Sequence, residues 1–175
     1  RDGFCYEQEF RKGKPVSELK QAGETAEHGT TIIFYHDKDI FELMVFDFDL
    51  LAKRLRELAF LNKGLELTIM DEISGRKDVF RYDGGLVDFV KYINKNKKAV
   101  HETVIYLNRE LDNAQIEAAI QYNEGYLESI FSYCNNINTV EHGTHYTGFS
   151  TALTRAVNDY IRKNKLDSIK LAGSD

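Results

Sequence analysis

Phe149, Ala152, Leu153, Ala156, Val157, Tyr160 and Ile161 recur at i, i+3, i+4, i+7, i+8, i+11 and i+12, which draws one apolar stripe along a long helix. Such a stripe has to be covered, so the rest of the chain must supply a packing surface. It offers strands. Residues 4–10 predict one, followed by the basic turn Arg11-Lys12-Gly13-Lys14-Pro15 and a polar stretch to His28. Residues 30–35, β-branched and aromatic, predict another. Residues 65–70 and 79–82 flank Ser74-Gly75 as a hairpin, and residues 102–107, 115–122 and 127–134 add three strand candidates. In the second of these, Ile116, Ala118, Ile120 and Tyr122 alternate with Gln115, Glu117 and Gln121, so one face is expected to be buried.

Two further helices complete the pattern. One opens at Asp47-Phe48-Asp49, repeats Leu51, Leu55, Leu58 and Ala59 at helical spacing, and closes near Asn62-Lys63-Gly64. The other carries Leu86, Phe89, Val90 and Ile93. The predicted class is α/β, in the wider sense α+β, with two strand-and-helix groups divided at Gly84-Gly85.

With 42% hydrophobic and 29% charged residues in a chain of 175, the composition is that of a folded globular protein holding one full domain or two partial ones. No stretch approaches the ~20 apolar residues of a membrane span, and a cytoplasmic location is expected. Cys5 and Cys134 lie far apart and in no C-x-x-C pattern, which fits a reducing compartment and small strand residues. A net charge of −5 argues against a generally adhesive nucleic-acid binder. The basic residues do cluster, at Lys53, Arg54 and Arg56, at Lys91, Lys95, Lys97 and Lys98, and at Arg162, Lys163 and Lys165. Each cluster is read as a solvated helix end. The chain opens on Arg1 rather than methionine, which is read as a piece of a longer subunit.

General catalytic motifs fail. Gly13-Lys14-Pro15 lacks the first glycine and the hydroxyl residue of a phosphate loop. His142 and His145, with Cys134 as the nearest third donor, are too few for zinc, and no metal site is assigned. The informative stretch runs from Asn135-Asn136-Ile137-Asn138-Thr139 through Gly143-Thr144-His145 to Gly148-Phe149. It is a loop with unusual backbone demands leading into a helix. It can serve as a cap, or its free amides can hold an anion.

Here the sequence resembles a known family. Asn-Asn-Ile-Asn-Thr at 135–139, Gly-Thr-His at 143–145, Gly148-Phe149 and Ala-Leu-Thr-Arg ending in Arg155 are similar to the signature of the ATPase subunits of bacterial type IIA DNA topoisomerases, the DNA gyrase B group nearest among them. The run from Leu51 to Gly64 resembles the same family, as do Tyr82-Asp83-Gly84-Gly85, Phe89-Val90-Lys91-Tyr92, Asn94-Lys95-Asn96-Lys97 and Gln121-Tyr122-Asn123. The matches span nearly the whole chain in the family's order.

The resemblance implies that residues 1–84 are the C-terminal part of a GHKL ATP-binding sandwich. Residues 85–175 would then be a transducer domain with a left-handed βαβ crossover. It implies ATP and Mg2+ in the intact protein, a gate that closes as an ATP-dependent dimer of B subunits, and the gyrase A subunit and DNA as partners. Gly29 and Thr30 resemble the strand pair that helps hold the adenine end, and Arg1 the pocket-edge arginine that aminocoumarin inhibitors contact. Asn135, Asn136, Gly143, Thr144, His145 and Arg155 carry the transducer signature, and Ser150 stands where the family often has an arginine facing the DNA cavity.

Several parts of the family's machinery have no match. Asp112-Asn113 resembles the end of its E-x-x-D-N motif, but Arg109 stands in place of the glutamate, and no catalytic residue is assigned. The glycine-rich lid would precede Arg1 and the Gln-Thr-Lys loop would follow Asp175. The chain by itself is therefore expected to be inactive, to bind no nucleotide tightly and to be a monomer. His142 replaces a glycine that the family usually has, which restricts the loop. The rival reading is a stand-alone nucleic-acid-binding module on a transducer-like fold, or the topoisomerase IV equivalent.

Overall fold

The computed structural model describes residues 1–42, 45–125 and 127–166, and the chain divides into two compact units, the first Arg1–Phe48 and the second from Asp49 onward. In the first unit, β1 (Phe4–Glu7) pairs antiparallel with β4 (Lys20–Glu24), with a register shift between Cys5 and Tyr6. Between them, β2 (Phe10–Arg11) and β3 (Lys14–Pro15) form a tight hairpin. Lys12 and Gly13 form its two-residue turn, both in the left-handed region at φ 51° and 78°. Such a turn matches the twist of the strands it joins. The single strand predicted over 4–10 is thus two, and its basic turn is itself a hairpin.

The strand predicted over 30–35 is corrected. Among the described residues no ladder includes it, and its side chains from Ile32 to Tyr35 are between 60% and 84% exposed. High β propensity measures fit to a pleated, half-buried surface, and no described strand offers this segment one. Phe34 instead meets Phe46 edge to face, with centroids 5.2 Å apart.

In the second unit, α1 (Phe48–Leu61) buries Ala52, Ala59 and Phe60 on one side. The hairpin of β5 (Leu67–Met70) and β6 (Lys77–Phe80) follows, with Phe80 buried. Gly84 and Gly85 then lead into α2 (Leu86–Ile93). Gly85 sits at φ 58° as the residue before the helix, and the N–H of Gly84 donates to the Asp88 carboxylate at 2.9 Å. The two glycines are therefore a helix start.

A ribbon of β7 (Ile105–Leu111) and β8 (Ala114–Ile120) comes next, and α2 lies against β8. Asp112-Asn113 forms its two-residue turn, so the pair that resembles a catalytic motif is a hairpin connection. Of the strand predicted over 127–134, only β9 (Tyr133–Cys134) pairs, with β10 (Ile137–Asn138), while Leu127 is 85% exposed. All five ladders among the described residues are antiparallel pairs, and a parallel crossover is not among them.

The last element is α3 (Thr144–Lys163), twenty residues long, where the periodicity places it. Its covered side is narrower than the apolar stripe. Phe149, Leu153 and Val157 are half-buried and Ile161 is buried, but Ala152, Ala156 and Tyr160 are exposed. No helix among the described residues is long and apolar enough to cross a membrane. The tail after residue 166, beyond which the Gln-Thr-Lys loop is expected, lies outside the described residues.

Candidate functional site: the asparagine turn and the start of the long helix

Asn135 and Asn136 are the two turn residues between β9 and β10, at φ 49° and 65°. Asparagine tolerates the left-handed region better than other side-chain-bearing residues, which is why a pair of them can close this hairpin. The turn docks on α1. The Arg54 guanidinium Nη2 donates to the Asn136 carbonyl at 2.8 Å while its Nη1 meets the Glu57 carboxylate at 3.1 Å. The Asn136 amide donates to Asn62 Oδ1 at 3.0 Å, and the Asn62 amide donates to the Leu58 carbonyl at 2.7 Å.

Behind the turn, hydroxyls and imidazoles lock the approach to α3. Thr139 donates to the Ser132 carbonyl at 3.0 Å, and the two hydroxyls lie 2.6 Å apart. His145 Nε2 sits 3.2 Å from the Thr139 hydroxyl and His142 Nδ1 3.3 Å from that of Ser132. Both histidines are therefore engaged with hydroxyls. Among the described residues no three His, Cys, Asp or Glu side chains converge as metal ligands would.

Two positions here explain their residue type. Gly143 is extended, but a Cβ on it would come within 2.9 Å of the His145 ring, so a side chain there displaces the imidazole. His142 adopts φ 60°, a conformation glycine takes freely, and its ring stacks on Tyr146 with centroids 4.0 Å apart. The restriction expected of this substitution is met by a left-handed histidine, and the loop accommodates it.

The turn meets the rest of the unit through rings. Phe60 stacks on Tyr82 at 3.6 Å and on Phe89 at 4.9 Å, and Phe89 reaches Phe131 at 5.7 Å and Tyr133 at 6.4 Å. Arg56 lies over Phe80 at 4.9 Å and donates to the Tyr92 hydroxyl at 2.9 Å. Burial pushes the Tyr133 phenol up to about 12, with the Glu57 charge adding to the effect and Arg54 opposing it. Its hydroxyl is buried with no hydrogen-bond partner among the described residues.

The remaining predicted residues lie elsewhere. Gly29 and Thr30 are exposed on an irregular stretch of the first unit, and Arg1 is exposed beside Asp2 at 3.5 Å. Arg155 and Thr144 line an open groove of about 590 Å3 on α3 with Thr147, Gly148 and Thr151. Every lining residue belongs to that helix, so the groove is a helix face and encloses nothing. Ser150, expected beside the covered stripe and facing outward, is half-buried, with its carbonyl accepting from Thr154 at 2.9 Å. Sequence reasoning misses Arg54 and Asn62 as site residues, because locally they show only a basic run and a helix stop. The pairing of Arg54 with Glu57 one turn on is the only local signal.

The fold is shared with solved proteins. The chain is similar to the 43K ATPase domain of Thermus thermophilus gyrase B, which was crystallised in complex with an aminocoumarin. The TM-score is 0.80 and the identity 30%, over 99% of this chain and 49% of that one. The B-subunit of DNA gyrase from Myxococcus xanthus gives a TM-score of 0.76 and 25% identity over 91% of this chain and 47% of that one. These likenesses define the class of fold, that of the ATPase region of gyrase B proteins. The DNA gyrase B protein of Clostridium acetobutylicum is 48% identical over 163 residues, 93% of this chain, and that of Streptococcus pneumoniae serotype 4 is 47% identical over 95% of it. Residues 85–175 match the family model of DNA gyrase B, and the chain belongs to the DNA gyrase B family. It spans about a quarter of the length of those relatives, 26% in each case.

Proposed function

We propose that this chain joins the ATP-binding domain to the transducer in the ATP-operated gate of a DNA gyrase. Residues 1–84 end the first domain and residues 85–175 begin the second. In the intact protein, ATP binding closes a dimer of B subunits, and the joint carries that state toward the A subunit and DNA so that hydrolysis drives strand passage and supercoiling. The observation that carries this reading is the ring cluster around Phe60. It packs α1 and Tyr82, from before Gly84, against Phe89 and Tyr92 of α2, from after it. A continuous packed joint is one physical route by which a conformational state can be transmitted.

The residues present do not by themselves fit a nucleotide and its Mg2+. Gly29 and Thr30 are exposed, and no carboxylate set converges among the described residues. Gly29, Thr30 and Arg1 supply one edge of the pocket in this reading, and the intact protein supplies the remainder. Ser150 and Arg155 lie along α3, which faces transported DNA. The test is reconstitution of the full-length protein with its A subunit on relaxed plasmid. ATP-dependent negative supercoiling is expected. Relaxation without supercoiling would point to the topoisomerase IV equivalent, and no ATP-dependent topology change would overturn the reading.

A further inference from the structure

Two kinds of contact cross Gly84-Gly85. The rings of Phe60, Phe89 and Tyr92, the first two stacked and the third tilted, are close but tolerant of sliding, since ring pairs keep their attraction over a range of offsets and tilts. The hydrogen bonds at Asn136 are directional. We propose that Arg54 and Asn62 form a latch that grips the Asn135-Asn136 turn and sets the orientation of the transducer on α1. They would be positioning residues for coupling, and the inference rests on the gate reading above.

The geometry suits a latch that opens. Arg54 holds a backbone carbonyl whose direction depends on Asn136 staying at φ 65°, so the guanidinium senses the conformation of the turn rather than its side chain. Asn62 holds the side-chain amide of the same residue. Its own amide is committed to Leu58, which leaves Oδ1 facing the turn as an acceptor. Arg54 also keeps Glu57 at 3.1 Å, so release of the turn does not leave an unpaired buried charge. Arg56, another guanidinium at the joint, is engaged instead with Phe80 and Tyr92.

The test uses the full-length protein assembled with its A subunit and compares Arg54→Lys, Asn62→Ala and Asn136→Gly. Lysine keeps the charge but loses the forked donor, and glycine keeps the left-handed turn but removes the amide. DNA-stimulated ATPase is expected to stay within about twofold, while supercoils per ATP fall roughly tenfold, the equivalent of about 1.4 kcal/mol of lost orientation. Lys98→Gln, which removes an exposed ion pair with Glu124 and none of the hydrogen bonds to Asn136, is expected to keep normal coupling. Unchanged coupling in all three variants would overturn the latch. So would ATPase and supercoiling falling in parallel with the thermal midpoint, which is the mark of a structural role alone. A wild-type enzyme without ATP-driven supercoiling would overturn the gate reading itself, an outcome separate from either.

Discussion

Phe60 and Tyr82 lie face to face, with ring centroids 3.6 Å apart and planes 21° from parallel, and Phe60 is only 1% exposed. One ring on α1 thereby anchors the segment leading into α2. Phe60→Ala is expected to cost about 3–5 kcal/mol, the range for deleting a buried aromatic ring. Urea denaturation followed by circular dichroism measures this. A loss below about 1 kcal/mol would mean that the cluster is not the core of this unit.

His142 supports a prediction of sign. Alanine at φ 60° keeps the backbone cost and loses the Tyr146 stack, whereas glycine loses the stack but relieves the backbone. His142→Gly should therefore be more stable than His142→Ala by about 1 kcal/mol, the reverse of their order in ordinary backbone. Thermal melts of the two variants side by side decide it; equal stability would refute the left-handed assignment.

The Tyr133 phenol gives a pH window. Its folded value of about 12 stands above the unfolded ~10, so the folded state holds the proton more tightly. The stability this contributes is complete below pH ~10 and is lost as pH rises through the folded value of about 12. Tyr133→Phe should remove this alkaline loss. Because the hydroxyl has no partner among the described residues, the change should also stabilise the protein by up to about 1 kcal/mol at neutral pH. A destabilised phenylalanine variant would show that the hydroxyl is bonded in solution.

The helical elements are legible in the sequence because their period is local. Leu51, Leu55 and Leu58 mark α1 and Phe89 marks α2 without reference to any distant residue. Strands are legible where their own residues favour them, as in β1, or where the partner lies close by, as with β5 and β6 or β7 and β8. β4 is Lys-Gln-Ala-Gly-Glu, with no apolar alternation, and is a strand because β1 pairs with it. The apolar run at 30–35 has the opposite fate, strong local preference without a described partner. At the site, the asparagine turn is visible as a motif, but the grip of Arg54 on Asn136 spans 82 residues. Nothing in either local sequence announces it.

Ser150→Arg, placed in the full-length protein, tests whether α3 faces DNA. One added phosphate contact steepens the log–log salt dependence of DNA binding by roughly 0.9. The expected result is stronger DNA stimulation of ATPase at low salt, shrinking as salt rises. Identical salt slopes for variant and parent would remove Ser150 from the DNA surface. A large fall in thermal midpoint would assign it to packing, in keeping with its half-burial.

Nucleotide binding by the 175-residue chain alone is expected to be negligible, since Thr30 is exposed and no metal-ligand set converges among the described residues. Calorimetric titration with a non-hydrolysable ATP analogue and Mg2+ should give no saturable heat. Micromolar affinity would mean that the pocket lies elsewhere on this chain.

Cys5 on β1 and Cys134 beside the asparagine turn are the only two cysteines in the sequence, and both thiols are free and exposed. One belongs to each compact unit. Nature has thus provided a ready pair of attachment points for fluorophores or spin labels, with no engineered residue in the chain. A dye on Cys134 sits next to the turn and would register its release as a change in local mobility. A second dye on Cys5 would turn the same molecule into a ruler between the two units.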